Sequence, residues 1–107
     1  MASFDLHDLV AIIDARAAAS SEVSYTRKLL DKGIPHCAKK FGEEAVEAVI
    51  AAISEDDAHL IAESADVLYH LLVLLKARGV PLADVEAALA ARTRMSGLEE
   101  KAARKPV

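Results

Sequence analysis

Aromatic side chains are nearly absent from this chain: two Tyr, two Phe and no Trp in 107 residues. A core without large rings must be filled by Ala, Leu, Ile and Val, a mixture that favours helices packed closely through small side chains. The single cysteine, Cys37, excludes an internal disulfide framework. Positive charge is in the minority, with 13 Lys and Arg against 17 Asp and Glu for a net charge of −4. That balance argues against a nucleic-acid partner, which calls for a basic face, but leaves room for a local basic pocket. The opening residues Met-Ala-Ser-Phe-Asp lack the basic region and apolar run of a signal peptide. The longest strongly apolar run, 67–75, is interrupted by Tyr69 and His70 and has about half the length needed to span a bilayer. The cytoplasm is therefore the expected location, with no membrane partner. No alternating strand pattern, internal repeat or glycine-rich phosphate loop is present, so neither a β-fold nor a P-loop mechanism is supported.

What remains is 53% hydrophobic and helical in pattern. It reads as one all-α domain spanning residues 1–107, a helical bundle of about five helices completed by oligomerisation, because the apolar content is high for so short a chain. Ser3 caps a first helix over 4–19, and Ser24 caps a second from Tyr25 to Asp31, closed by Gly33. Pro35 suits the first turn of a third, ending at Ile53. The fourth runs from Asp57 to Arg78 and stops at Gly79, and the fifth opens at Pro81 and ends near Thr93. The polar tail, 95–107, is expected to order only on contact with substrate or a partner subunit.

Two acidic pairs stand out, Glu44-x-x-Glu47 and Glu63-x-x-Asp66. Positions i and i+3 of an α-helix lie about 60° apart, so each pair can aim two carboxylates at one point. On the third helix Phe41, Ala45, Val46, Val49, Ile50, Ala52 and Ile53 occupy at least half the circumference, leaving Lys40, Glu43, Glu44 and Glu47 the rest. Between Leu60 and Leu75 the fourth helix has only Glu63, Ser64, Asp66, Tyr69 and His70 as polar residues. A helix that apolar is expected to be covered on most sides, giving Glu63 and Asp66 little free surface. Buried carboxylates need neutralising, either by Arg27, Lys28, Lys39 and Lys40 or by a hard divalent cation, Mg²⁺ or Mn²⁺.

A cation on such a site points to hydrolysis of a phosphoanhydride by a water molecule it activates. Glu43 and Glu44 are the candidates to accept that water's proton, with no choice between them. His70, one turn after Asp66, is expected to orient it from behind, Tyr69 to pack, and Cys37 to be inert. Arg27, Lys28, Lys32, Lys39 and Lys40 cluster before the acidic region, where they could bind phosphate groups beyond the metal's reach.

Glu-x-x-Glu followed by Glu-x-x-Asp resembles the all-α nucleoside triphosphate pyrophosphatases. Three linked stretches narrow the resemblance: Ser24-Tyr-Thr-Arg-Lys-Leu-Leu, Ala38-Lys-Lys-Phe-Gly-Glu-Glu-Ala-Val-Glu and Glu63-Ser-Ala-Asp-Val-Leu-Tyr-His-Leu-Leu-Val-Leu-Leu. With the ending Ser96-Gly-Leu-Glu-Glu-Lys-Ala-Ala-Arg, they look like the phosphoribosyl-ATP pyrophosphohydrolase family over nearly the whole chain. The resemblance implies Mg²⁺-dependent conversion of phosphoribosyl-ATP to phosphoribosyl-AMP and pyrophosphate, the second step of histidine biosynthesis. It implies Glu44, Glu47, Glu63 and Asp66 as metal ligands and Tyr25, Thr26, Lys28, Lys39 and Lys40 as substrate contacts. It also implies a stand-alone enzyme forming a homodimer or higher homo-oligomer. The alternatives are a pyrophosphatase clearing non-standard nucleoside triphosphates, or a non-enzymatic helical assembly module whose acids only pair with bases.

Overall fold

The computed structural model describes residues 3–94 together with 97, 101, 102 and 104. The tail expected over 95–107 falls mostly outside the described residues. Among the described residues five helices follow in order: α1 (Leu6–Ala17), α2 (Tyr25–Asp31), α3 (Ile34–Ser54), α4 (Asp57–Arg78) and α5 (Leu82–Arg92). Among the described residues there is no strand. The all-α fold is as the composition requires.

Local chemistry sets the boundaries. α1 starts later than expected, because Asp5 and not Ser3 is the cap. The Asp5 side chain accepts from the Asp8 N–H at 2.9 Å and the Asp8 carboxylate accepts from the Asp5 N–H at 2.9 Å, a reciprocal box satisfying two otherwise unpaired donors. Ser24 caps α2 by accepting from the Arg27 N–H at 3.1 Å, while its hydroxyl donates to the Arg16 carbonyl at 2.8 Å and so ties α2 to the end of α1. Arg27 strengthens that corner, donating to the Ala17 carbonyl at 2.9 Å and pairing with Asp31. Gly33, at φ 92°, turns the chain from α2 directly into α3. Gly79, at φ 70°, ends α4: its N–H reaches Lys76 O, and the Val80 N–H reaches back to Leu75 O at 2.9 Å.

α3 and α4 form an antiparallel hairpin joined by Glu55-Asp56, with α1 and α2 against one end of it. The buried core lies at that end: Ile13, Leu29, Cys37, Leu72 and Val73, with Leu9, Val10, Leu30 and Leu74 around them. Cys37 donates to the Leu29 carbonyl and burial raises its pKa, so it stays a thiol. α5 is attached near its start by Leu82 against the core, and further along by His7 of α1, whose Nε2 lies 2.9 Å from Glu86.

The other end of the hairpin is open, which corrects the expectation that α4 is covered on most sides. Val46, Val49, Ile50 and Ile53 of α3 and Ile61 and Leu68 of α4 are exposed, Ile53 at 81% and Ile61 at 70%. The radius of gyration is 16.2 Å, against about 13 Å for a compact chain of this length. By length and mean hydropathy alone α4 would also pass as a membrane-crossing helix. Glu63 and Asp66 near its middle and its packing along α3 mark it instead as one strut of the hairpin.

Candidate metal centre

The acidic pairs meet where the open and packed halves of the hairpin join. Carboxylate oxygens of Glu44, Glu63 and Asp66 lie within 4.8 Å of one another. Glu47 is close enough to both Glu44 and Glu63 that the pairs could hydrogen-bond only by sharing a proton. Partial burial, and then the negative charge of Glu47, Asp66 and Glu63, hold the Glu44 carboxyl above its ordinary pKa. Glu63 is raised too, first by burial and then by Glu47. One of its oxygens, Oε2, is buried with no hydrogen-bond partner.

Three of the four expected basic partners are engaged elsewhere, and Lys28 has no ion pair among the described residues. Lys40 donates to Glu43 at 3.2 Å, Lys39 sits 4.0 Å from the same carboxylate, and Arg27 is committed to Asp31. Among the described residues no Lys or Arg pairs with Glu44, Glu47, Glu63 or Asp66. A buried network of acids and bases is therefore not what joins them. Three carboxylates, an orphaned oxygen and no soft donor among them suit a hard cation, Mg²⁺ or Mn²⁺, over zinc.

The remaining candidates divide by position. Glu43 points into its ion pair with Lys40, outside the trio that converges. Asp66 is more open than its apolar helix suggested, being exposed in the single chain. His70 is buried, but the carboxylate it approaches is Glu44, at 3.9 Å from its Nε2, in place of the expected Asp66. Burial, and then Lys40, lower the pKa of His70, favouring a neutral ring. Tyr25 and Tyr69 stand edge-on to it, with ring centroids 6.4 and 5.0 Å away. Thr26, expected to contact substrate, is 1% exposed and bonds to the Tyr69 hydroxyl at 2.6 Å. Its visible work is to join α2 to α4. Tyr69 thus does more than pack, a role only the tertiary fold reveals. Tyr25, Lys28 and Lys39 are exposed, and Lys40 is half-buried.

Residues 6–93 match the family described as phosphoribosyl-ATP pyrophosphohydrolase. The chain belongs to that family. Among its relatives are phosphoribosyl-ATP pyrophosphatase 1 of Bradyrhizobium diazoefficiens, 73% identical over 98% of this chain and 99% of that one. The protein of the same name from Rhodopseudomonas palustris is 72% identical over 98% of each. Phosphoribosyl-ATP pyrophosphatase of Nitrobacter hamburgensis is 71% identical over 97% of each. Within this family of pyrophosphohydrolases, the carboxylate cluster is the feature of the chain to which a phosphate-neutralising cation is chemically suited.

Proposed function

We propose that the chain hydrolyses phosphoribosyl-ATP to phosphoribosyl-AMP and pyrophosphate with Mg²⁺ as cofactor, Mn²⁺ being a workable substitute, in histidine biosynthesis in the cytoplasm. Family membership and the names of its relatives support the substrate. The observation that carries the chemistry is the convergence of Glu44, Glu63 and Asp66 within 4.8 Å beside the unpartnered Glu63 oxygen.

In this reading Glu44, Glu47, Glu63 and Asp66 hold the cation. When bound, Mg²⁺ neutralises phosphate oxygens and acidifies water. The cluster carries excess negative charge, so the cation relieves repulsion between the same groups it binds to. Of the two candidates to accept the proton of the attacking water, Glu44 lies in the cluster and Glu43 outside it. Glu43 is held by Lys40, so its part is to fix that lysine, whose ammonium stays charged beside it. Neutral His70 packs behind Glu44 and limits its movement. Tyr25, Lys28, Lys39 and Lys40 are proposed to face the substrate, and Thr26, the residue after Tyr25, to hold that turn of α2 through its bond to Tyr69.

A second copy of the chain is proposed to cover Val49, Ile50, Ile53 and Ile61, giving a homodimer or a larger homo-oligomer. The exposed apolar face and the expanded radius of gyration support it. Light scattering tests the assembly. Pyrophosphate release from phosphoribosyl-ATP, set against a panel of deoxynucleoside triphosphates, tests the reaction. Preference for a pyrimidine deoxynucleotide would move the chain to the house-cleaning class, and no turnover of any nucleotide would leave only the assembly module.

A further inference from the structure

A second hollow lies beside the carboxylate cluster and is of opposite charge. It has a volume of about 230 Å³ and is lined by Tyr25, Lys28, Leu29, Lys32, His36 and Lys40. Each helix contributes one i, i+4 pair: Lys28 of α2 with Lys32, which caps its C-terminal end, and His36 with Lys40 from the start of α3. Side chains four apart share a helix face. The Gly33 turn, at φ 92°, folds those two faces toward a common space. In a chain of net charge −4 this concentrates three lysines and a histidine around one cavity.

Their charge is largely unspent. Among the described residues neither Lys28, Lys32 nor His36 has an ion-pair partner. Lys40 gives one contact to Glu43 and has two further N–H donors. Arg27 and Lys39, the other basic residues nearby, do not line the hollow. The site is continuous with the cluster: Lys40 precedes Glu44 by one turn, about 6 Å of helix rise. The Tyr25 ring of the hollow faces His70, which in turn lies against Glu44. By contrast the larger hollow, about 410 Å³, is mostly apolar, lies under the far end of α4 and is bordered by the Lys76–Asp14 pair.

We propose that Lys28, Lys32, His36 and Lys40 form a pocket for a substrate phosphate group that the metal does not hold. Lys32 and His36 are thereby specificity-determining residues. The inference rests on the reaction proposed above. Phosphoribosyl-ATP carries such a group at two places: the 5-phosphate monoester of the added ribose, and the end of the triphosphate. A dianionic phosphate suits several ammonium donors converging on a concave surface. If the monoester is the occupant, the pocket separates this substrate from ATP, which lacks that group. A site built for a charged group rejects the analogue missing it by leaving its own charges unpaired.

The test compares wild type, Lys32→Ala, His36→Gln and, as a control on an unrelated ion pair, Lys76→Ala. The expected loss in kcat/KM for phosphoribosyl-ATP is about tenfold or more for Lys32→Ala, carried mainly by KM, with Lys76→Ala near wild type. Binding of the two products then identifies the occupant. Weaker phosphoribosyl-AMP binding with unchanged pyrophosphate binding assigns the monoester, and the reverse assigns the triphosphate end. Wild-type kcat/KM in both Lys32→Ala and His36→Gln overturns the pocket. Independently of turnover, inorganic phosphate and pyrophosphate are titrated into Mg²⁺-free protein while the His36 ring is followed by NMR. A saturable shift that Lys32→Ala weakens supports the pocket even if phosphoribosyl-ATP is not cleaved, and no shift with either anion overturns it.

Discussion

At one end of the α3–α4 hairpin, Cys37, Leu72 and Val73 are buried beneath α1 and α2. At the other end Val49, Ile50, Ile53 and Ile61, no less apolar, face solvent. Hydrophobic pattern is thus the same along both helices while coverage is not. Among the described residues, only the first end has helices of its own chain packed on it. The carboxylate cluster sits at the boundary, between the packed base on one side and the exposed apolar face on the other. Rigidity positions ligands, and openness admits a substrate.

That contrast can be broken from the packed end with the largest effect. Ile13→Ala should cost about 2–5 kcal/mol of folding stability, because Ile13 is fully buried and its removal leaves a cavity. Urea denaturation measures it, and a loss under ~1 kcal/mol would place the core elsewhere. At the boundary, Glu47→Gln should lower kcat by at least about 100-fold, the upper range for losing even an outer support of a metal site. The metal-free variant should melt no lower than wild type, since crowded negative charge is reduced. A folded variant with full activity would remove Glu47 from the ligand set.

Two smaller effects sharpen the comparison. Thr26→Val should destabilise by about 1–3 kcal/mol by leaving the Tyr69 hydroxyl without its partner, and double substitution with Tyr69→Phe should recover part of that loss. At the open end Ile53→Ala should change the stability of a single chain by less than ~0.5 kcal/mol. It should nevertheless raise the dissociation constant of the oligomer in light scattering, an effect absent if the face is not an interface.

The smallest effect belongs to the attachment of α5. The hydrogen bond that His7 donates to the Glu86 carboxylate, then that carboxylate's charge, raises the pKa of His7 above 6.5. A raised histidine contributes in full below its unfolded pKa, and the contribution disappears as pH climbs through the folded value. Melting temperature should therefore fall slightly from mildly acid to mildly alkaline pH, and His7→Gln should flatten that slope.

Much of this was legible from residues alone because local rules decide it. Ser24, Pro35 and Gly79 punctuate the helices where capping chemistry requires, and the acidic spacing singles out Glu44, Glu63 and Asp66, which converge, while the exposed Glu47 lies outside that trio. The Asp5–Asp8 box does not stand out beside Ser3, since both can cap and only the backbone path chooses. The exposure of α4 is not legible in its sequence, because an apolar pattern does not say which of its faces the rest of the chain covers. Thr26–Tyr69 and the gathering of Lys32 and His36 with Lys28 and Lys40 depend on how α2 meets α3 and α4. No periodicity carries that angle.

The measurement closest to the central claim is thermal melting with and without Mg²⁺, for wild type and for Glu63→Gln. If carboxylates from α3 and α4 jointly bind the cation, Mg²⁺ raises the melting temperature of wild type in a saturable way, and Glu63→Gln loses most of that gain while melting at least as high as wild type without metal. A wild-type protein indifferent to Mg²⁺, or a Glu63→Gln protein that gains as much from it, would contradict the claim.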